Sequence, residues 1–311
     1  MSDAQNIYDT ITNKIIADLE KGILAWRKPW HSDTLSSRVI RPLRHNDIPY
    51  TGINTIILWM AAMEQGYQSP YWMTFKQAIN MKANVKKGEK GTNIVYADKM
   101  VRTEQDETGK DVQVTIPYLK AYTVFNANQI EGLPPAYYAQ PESKPAPKHE
   151  RIPSLDSFFA NTKATVQDGV QATYFLLRDI IEMPPFDCFI DAPAYYATLA
   201  HEVTHWTSHP SRLNRNFNRK AWGDEGYAKE ELVAELGACF LNADLGLSPL
   251  PDEQHAAYIQ SWLKVLKNEK RFIFSAAAHA SRAVEYLHAL QTETQPTTTT
   301  KPTPTLTMTG A

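Results

Sequence analysis

The chain has 311 residues, 43% of them apolar and 21% charged, enough for two ordinary domains with a sizeable core. Its 32 Lys+Arg against 34 Asp+Glu, a net charge of −2, exclude a nucleic-acid binder driven by bulk charge, so any such role needs a local patch. Two cysteines, Cys188 and Cys239, exclude a disulfide scaffold, and the lack of a basic-then-apolar leader or an apolar run of spanning length predicts a cytoplasmic protein away from membranes.

Ile7, Ile11, Ile15 and Leu19 recur every fourth residue and predict an opening helix that stops at Gly22. A basic, aromatic loop follows, Trp26-Arg27-Lys28-Pro29-Trp30. Helices are predicted over 54–65, ending at Gly66, and over 74–81 after Ser69-Pro70. Strand-like runs occupy 93–96 and 118–125, with Asp106-Glu107-Thr108-Gly109-Lys110 as the hairpin turn. Charge is uneven here: from Tyr71 to Arg102 seven Lys and Arg face two acidic residues, and from Glu20 to Arg44 six face two. Aromatics are interleaved. Cations neutralise phosphates and flat rings stack unpaired bases, and the turn Lys86-Lys87-Gly88-Glu89-Lys90-Gly91 would bring ammonium groups and backbone N–H groups to a phosphate. Composition by itself favours the plainer reading, in which the aromatics fill a small core and the lysines solvate a surface. Trp59, inside an apolar helix, reads as core.

Residues 138–153 are rich in proline and charge and read as a flexible linker, and 292–311, mostly Thr and Pro, as a disordered tail. The chain thus divides into domains at 1–137 and 154–291. In the second, His201-Glu202-Val203-Thr204-His205 lies in a stretch free of proline and glycine from Ala194 to Ser208. Residues four apart share a helix face, so His201 and His205 can point two imidazoles at one metal ion, with Glu202 beside it as general base. The third ligand is sought in the next acidic cluster. The helix predicted over 227–241 has Leu232, Leu236, Cys239, Phe240 and Ala243 as its buried face, and both cysteines are expected in the core. Glu231 is the expected ligand, with Glu235 and Glu230 as rivals, and Glu235 is expected to accept a hydrogen bond from a ligand histidine. This layout is similar to that of gluzincin peptidases. Gly237 and Ala238 would let another helix approach closely. His209 lacks the glycine turn of the extended metzincin motif and reads as a helix-end residue.

Many segments, in order, resemble ArdC-type antirestriction proteins. In the first half these are Trp26-Arg27-Lys28-Pro29-Trp30, Tyr50-Thr51-Gly52-Ile53-Asn54, the run from Ser69 to Gln77 and the run from Val85 to Thr92. In the second half they are Met183-Pro184-Pro185, the run from Tyr195 to Glu202, His205-Trp206, Arg212-Leu213-Asn214-Arg215 and the run from Tyr227 to Leu236. The resemblance implies an N-terminal domain that binds single-stranded DNA, shared with TraC-type conjugative primases, and a C-terminal metallopeptidase-like domain. It implies a plasmid protein that protects incoming DNA from restriction during conjugation. It replaces the plainer reading of the first half without selecting which ring stacks a base. The candidates there are Trp26, Arg27, Lys28, Trp30, Tyr71, Trp72, Lys76, Lys86, Lys87 and Lys90.

The expected protein is therefore α+β in two domains, the second gluzincin-like. It carries Zn2+, with Mn2+ as the alternative, on His201, His205 and Glu231. Its partners are single-stranded DNA and an intracellular protein substrate. The rival reading is a non-enzymatic protein that coats single-stranded DNA and whose metal site is structural or vestigial. A metal-dependent nuclease or primase is disfavoured, because no aspartate cluster suited to that chemistry accompanies the HExxH helix.

Overall fold

The computed structural model describes residues 3–24, 26, 40–105, 110–139, 150–218, 223–247 and 256–292. Most of the expected linker and tail lie outside them. In the first half, α1 (Asp3–Glu20) and α2 (Ile53–Gln65) cover one face of a sheet built from β1 (Leu43–Arg44), β2 (Tyr71–Met73), β4 (Thr92–Gln105) and β5 (Asp111–Asn126), in the order β1-β2-β5-β4. Gly66 ends α2 in the left-handed conformation, at φ 68°, which favours glycine. The other face carries α3 (Phe75–Asn80) and a ribbon of β3 (Asn84–Val85) and β6 (Ile130–Glu131). Between them lies a small core of Met73, Ala78, Ala83, Ala127, Ile130 and Leu133. Thr74 and Gln77 form a reciprocal cap on α3, satisfying two helix-start N–H groups. The strand runs expected at 93–96 and 118–125 are the inner parts of a much longer hairpin, paired from Thr92↔Val124 to Gln105↔Asp111.

The second half opens with α4 (Pro153–Asn161) and a three-stranded sheet. β7 (Thr165–Asp168) pairs parallel with β9 (Ile180–Met183), and β8 (Thr173–Phe175) pairs antiparallel with β9 at the edge. Four helices follow: α5 (Ala192–Trp206), α6 (Glu225–Leu245), α7 (Ala256–Asn268) and α8 (Phe272–Thr292). Sequence reading located α5 and α6 but not this sheet, α7 or α8. Among the described residues no helix is long and apolar enough to cross a membrane.

Two expectations are corrected. Cys188 is exposed, while Cys239 is buried as expected. The halves are not independent bodies on a flexible joint, because one hydrophobic core runs through both. Trp59 packs on Phe240 with centroids 5.8 Å apart, and Trp26 meets Trp262 at 5.9 Å. Polar ties cross the same boundary: Arg41 pairs with Asp244 at 3.0 Å, and the Gly52 N–H donates to Ser281 Oγ at 2.8 Å. Truncating one buried ring of this kind typically costs about 3–5 kcal/mol, so the contact is a cohesive interface rather than a swivel. Tyr138, placed in the linker by sequence, is anchored: its hydroxyl donates to the Ile130 carbonyl and accepts from the Leu133 N–H.

Candidate metal centre

The centre is built where α5 crosses α6. Asp191 caps α5 by accepting from the Ala194 N–H at 2.8 Å, and Pro193 sits in its first turn, where no N–H is needed. The close approach of the helices depends on Gly237. A Cβ there would lie 2.5 Å from Thr204 Cγ2, so any side chain would require the buried Thr204 side chain or the helices themselves to shift. That proximity brings Glu231 to the histidines. The Nε2 atoms of His201 and His205 lie 3.2 Å apart, and each is 3.5 Å from a Glu231 carboxylate oxygen. Ligand-type atoms of the three residues fall within 4.8 Å of one another. Two imidazoles and one carboxylate are the donor set of a catalytic zinc site with a position left open, so the residues fit a divalent cation. Burial disfavours a charged imidazole at His205. The Glu231 carboxylate and the Glu230 hydrogen bond outweigh it and push its pKa up to about 10. Glu231, itself opposed by burial, is held well below the usual carboxylate range by His205 and His201. The cluster therefore demands positive charge, which a proton on His205 or a divalent ion supplies.

The carboxylate placed beside the His205 ring is Glu230, and Glu235, the expected acceptor, faces Trp26 instead. Glu230 Oε1 lies 3.1 Å from His205 Nδ1. Arg215, its side chain almost wholly buried, holds the same carboxylate at both oxygens, with Nε 2.8 Å from Oε2 and Nη2 2.6 Å from Oε1. Arg215 also donates to Thr207 Oγ1 and the Thr204 carbonyl, fastening the carboxylate to the end of α5. Glu235, one turn beyond Glu231, lies where α6 packs on the first half and accepts from the Trp26 indole N–H at 3.3 Å. Fixing a ligand histidine through a neighbouring carboxylate typically contributes about 10–100-fold to metal affinity. Glu230→Gln is accordingly expected to weaken ion binding by that factor, and Glu235→Gln to weaken it less. Competition with a chromophoric chelator measures both. A larger loss in Glu235→Gln would reverse the assignment.

A cavity of about 1360 Å3 opens on the cluster, lined by His201, Glu202, His205, Tyr227, Tyr258 and the segment around β8. Glu202 is largely buried at its wall. The Tyr227 and Tyr258 hydroxyls are 2.9 Å apart. Burial first, and then the nearby Glu231, push the Tyr227 pKa up, so its phenol stays protonated. Tyr258 lies far along the chain on α7 and carried no signal in sequence. Arg212 holds the β8–β9 hairpin over the site: it stacks on Trp206, its centre 3.8 Å from the ring centroid, and pairs with Asp179. His209 lies past the end of α5 and shares a hydrogen bond with Ser211.

In the first half, the structure places the nucleic-acid candidates in different settings. Trp26 and Trp72 are each 1% exposed, so neither ring has a face open to a base; the core they share with the second half claims both. Tyr71 is partly buried, donates to Asp47 Oδ1 at 2.6 Å and packs edge-on against Tyr137. Lys76, Lys86, Lys87 and Lys90 are exposed, with Lys86 Nζ donating to the Asn128 carbonyl. Arg27, Lys28 and Trp30 lie outside the described residues.

Residues 5–125 match the N-terminal domain of the anti-restriction factor ArdC, and residues 153–279 a zincin-like metallopeptidase family. The crystal structure of the antirestriction ArdC protein from plasmid R388, metal-free, superposes with a TM-score of 0.79 at 46% identity, covering 93% of this chain and 99% of that one. The Mn(II)-bound structure of the R388 protein gives 0.75 at 44% identity over the same shares. An uncharacterised protein of Sinorhizobium fredii, y4eC, is 36% identical over 93% of this chain and 94% of its own length. Two DNA primases TraC of Escherichia coli are 37% and 35% identical over 91% and 94% of this chain, which spans only 27% and 20% of their lengths.

Proposed function

This chain belongs to the ArdC family of antirestriction proteins, and on that premise we propose that it binds single-stranded DNA through its first half and hydrolyses a peptide bond at the α5–α6 site, protecting DNA that enters during conjugation. The observation that carries the enzymatic reading is the convergence of His201, His205 and Glu231 at the floor of a cavity with Glu202 in its wall. Structural zinc sites are closed by four protein ligands, whereas three ligands facing a cavity suit catalysis. This favours an enzyme over a coating protein with a vestigial site.

A divalent ion, zinc in our reading, supplies Lewis acidity to a carbonyl oxygen and to water when bound. The chain's own residues do the rest. His201, His205 and Glu231 hold the ion, and Glu230, clamped by Arg215, fixes the orientation of the His205 ring. Glu202 takes the proton from the attacking water and passes it to the leaving amine. The β8 edge offers backbone donors and acceptors along the cavity, suited to an extended peptide. The substrate is therefore an unfolded or flexible protein segment.

Support for the DNA reading comes from the matched ArdC N-terminal domain and from exposed lysines at the root of the β4–β5 hairpin. Fluorescence anisotropy of a labelled oligothymidylate tests it. Affinity should fall as salt rises, with a logarithmic slope of about −0.7 per phosphate neutralised, and exceed that for the matching duplex, whose base faces are hidden. Equal or tighter binding of the duplex contradicts it.

A further inference from the structure

The β4–β5 hairpin carries an aromatic pair in water. Tyr96 is 52% exposed and Tyr122 41%, and their rings meet edge to face at 6.1 Å with 79° between planes. In the register, Tyr96 lies opposite Lys120, and Ile94 opposite Tyr122. Side chains alternate across a strand, so all four residues share one face of the ribbon. Toward the root of the hairpin that face is covered: Ile94 and Val124 are buried in the main core. The cover ends at the tyrosines, and Lys120 beside them is exposed. The support is firm at that point. Asn54 of α2 exchanges two hydrogen bonds with the Val95 backbone, at 2.7 and 2.9 Å, pinning the edge of β4 next to Tyr96.

Single exposed apolar residues are ordinary on protein surfaces. Two adjoining rings on a pinned strand, with an ammonium group on the same face, are a different arrangement. The rings offer π-faces to unpaired bases, and the lysine meets the phosphate between them. Lys90 lies at the root of the same hairpin, six residues and roughly 20 Å of strand from Tyr96, so the backbone of a bound strand has a second cation within reach.

We propose that Tyr96, Tyr122 and Lys120 form a stacking platform for unpaired bases of single-stranded DNA. This rests on the single-stranded-DNA reading above and gives that activity a location, in place of the buried Trp26 and Trp72. The full-length chain is compared with Tyr96→Ser/Tyr122→Ser, Tyr96→Phe/Tyr122→Phe and Lys120→Gln, using anisotropy of a labelled oligothymidylate. The serine pair should lose roughly 5–150-fold in affinity for each ring that stacks a base. The phenylalanine pair should retain affinity, because the π-faces remain. Lys120→Gln should shorten the salt slope by about 0.7. Metal content and thermal unfolding of the serine pair should match the parent, since both rings are exposed. If the parent binds the oligonucleotide and the serine pair binds it equally well, the platform is wrong and the DNA reading stands. If the parent does not bind, the DNA reading itself falls. A serine pair that changes only the sedimentation behaviour, with DNA affinity intact, would make this face a contact between copies and overturn the proposal.

Discussion

A His201→Ala/His205→Ala variant is expected to retain no stoichiometric divalent ion after dialysis, whereas the parent chain holds one. The two imidazoles face one another at 3.2 Å, and Glu231 is the carboxylate brought to both. Stripped of its nitrogen partners, one carboxylate binds a hydrated divalent ion weakly. Elemental analysis of the two proteins decides the point, and a full equivalent of metal in the variant would sink the assignment. Two further features belong to the same measurement. The divalent series places manganese lowest and zinc well above it for mixed nitrogen and oxygen ligands, so zinc should displace manganese from the parent. Ion uptake must also expel the proton that the Glu231 and Glu230 carboxylates favour on His205 in the metal-free chain. That proton competes with the ion, so apparent affinity should rise with pH through the neutral range, by up to about tenfold per unit.

Glu202→Gln is expected to keep the ion and lose the chemistry. The amide has nearly the shape of the carboxylate and sits outside the ligand cluster, but it cannot accept the proton of the attacking water. Loss of a positioned general base typically costs about 10^2–10^4-fold in rate. Cleavage of a quenched-fluorescent peptide pool by the zinc-loaded parent and variant reads this directly, with elemental analysis confirming equal metal. Parental turnover in the variant would remove Glu202 from the mechanism. The same variant separates the two proposed activities in the cell. Protection of a plasmid entering a restricting recipient is expected to survive Glu202→Gln if strand binding carries the biology. Complete loss of protection would make proteolysis integral to it.

The packing of the two halves changes how such experiments are designed. With Trp59 against Phe240 and the Trp26 N–H on Glu235, the first half and α6 share side chains. An isolated first half would expose these rings to water, so the activities are better separated by point substitution than by truncation. The proline-rich composition of the linker suggested the opposite. Composition reports how a connecting segment behaves and carries no information on whether the bodies it joins adhere.

What the sequence determined by itself was local. The spacing of His201 and His205 needs only the 3.6-residue period of a helix to converge, and Glu202 follows from adjacency. The apolar stripe of α6 and the lack of a side chain at Gly237 are equally visible in one dimension, and they point to the close helix contact that Thr204 makes. Choosing among Glu230, Glu231 and Glu235 was a different problem. Successive residues turn by about 100° around a helix, so which carboxylate faces the histidines depends on how α6 is rotated against α5. That rotation is set by packing. It aims Glu231 at the cluster, gives Glu230 to His205 and Arg215, and turns Glu235 into the first half. The same limit governed the aromatics. A tryptophan beside lysines reads alike whether its ring points inward or outward. Trp26 and Trp72 are buried because the second half and α2 cover them, while Tyr96 and Tyr122 stay in water because the hairpin outruns that cover. Tyr258 and the β8 edge reach the cavity from segments with no motif of their own. Burial and convergence belong to surfaces that meet only after folding, and only the tertiary structure decides them.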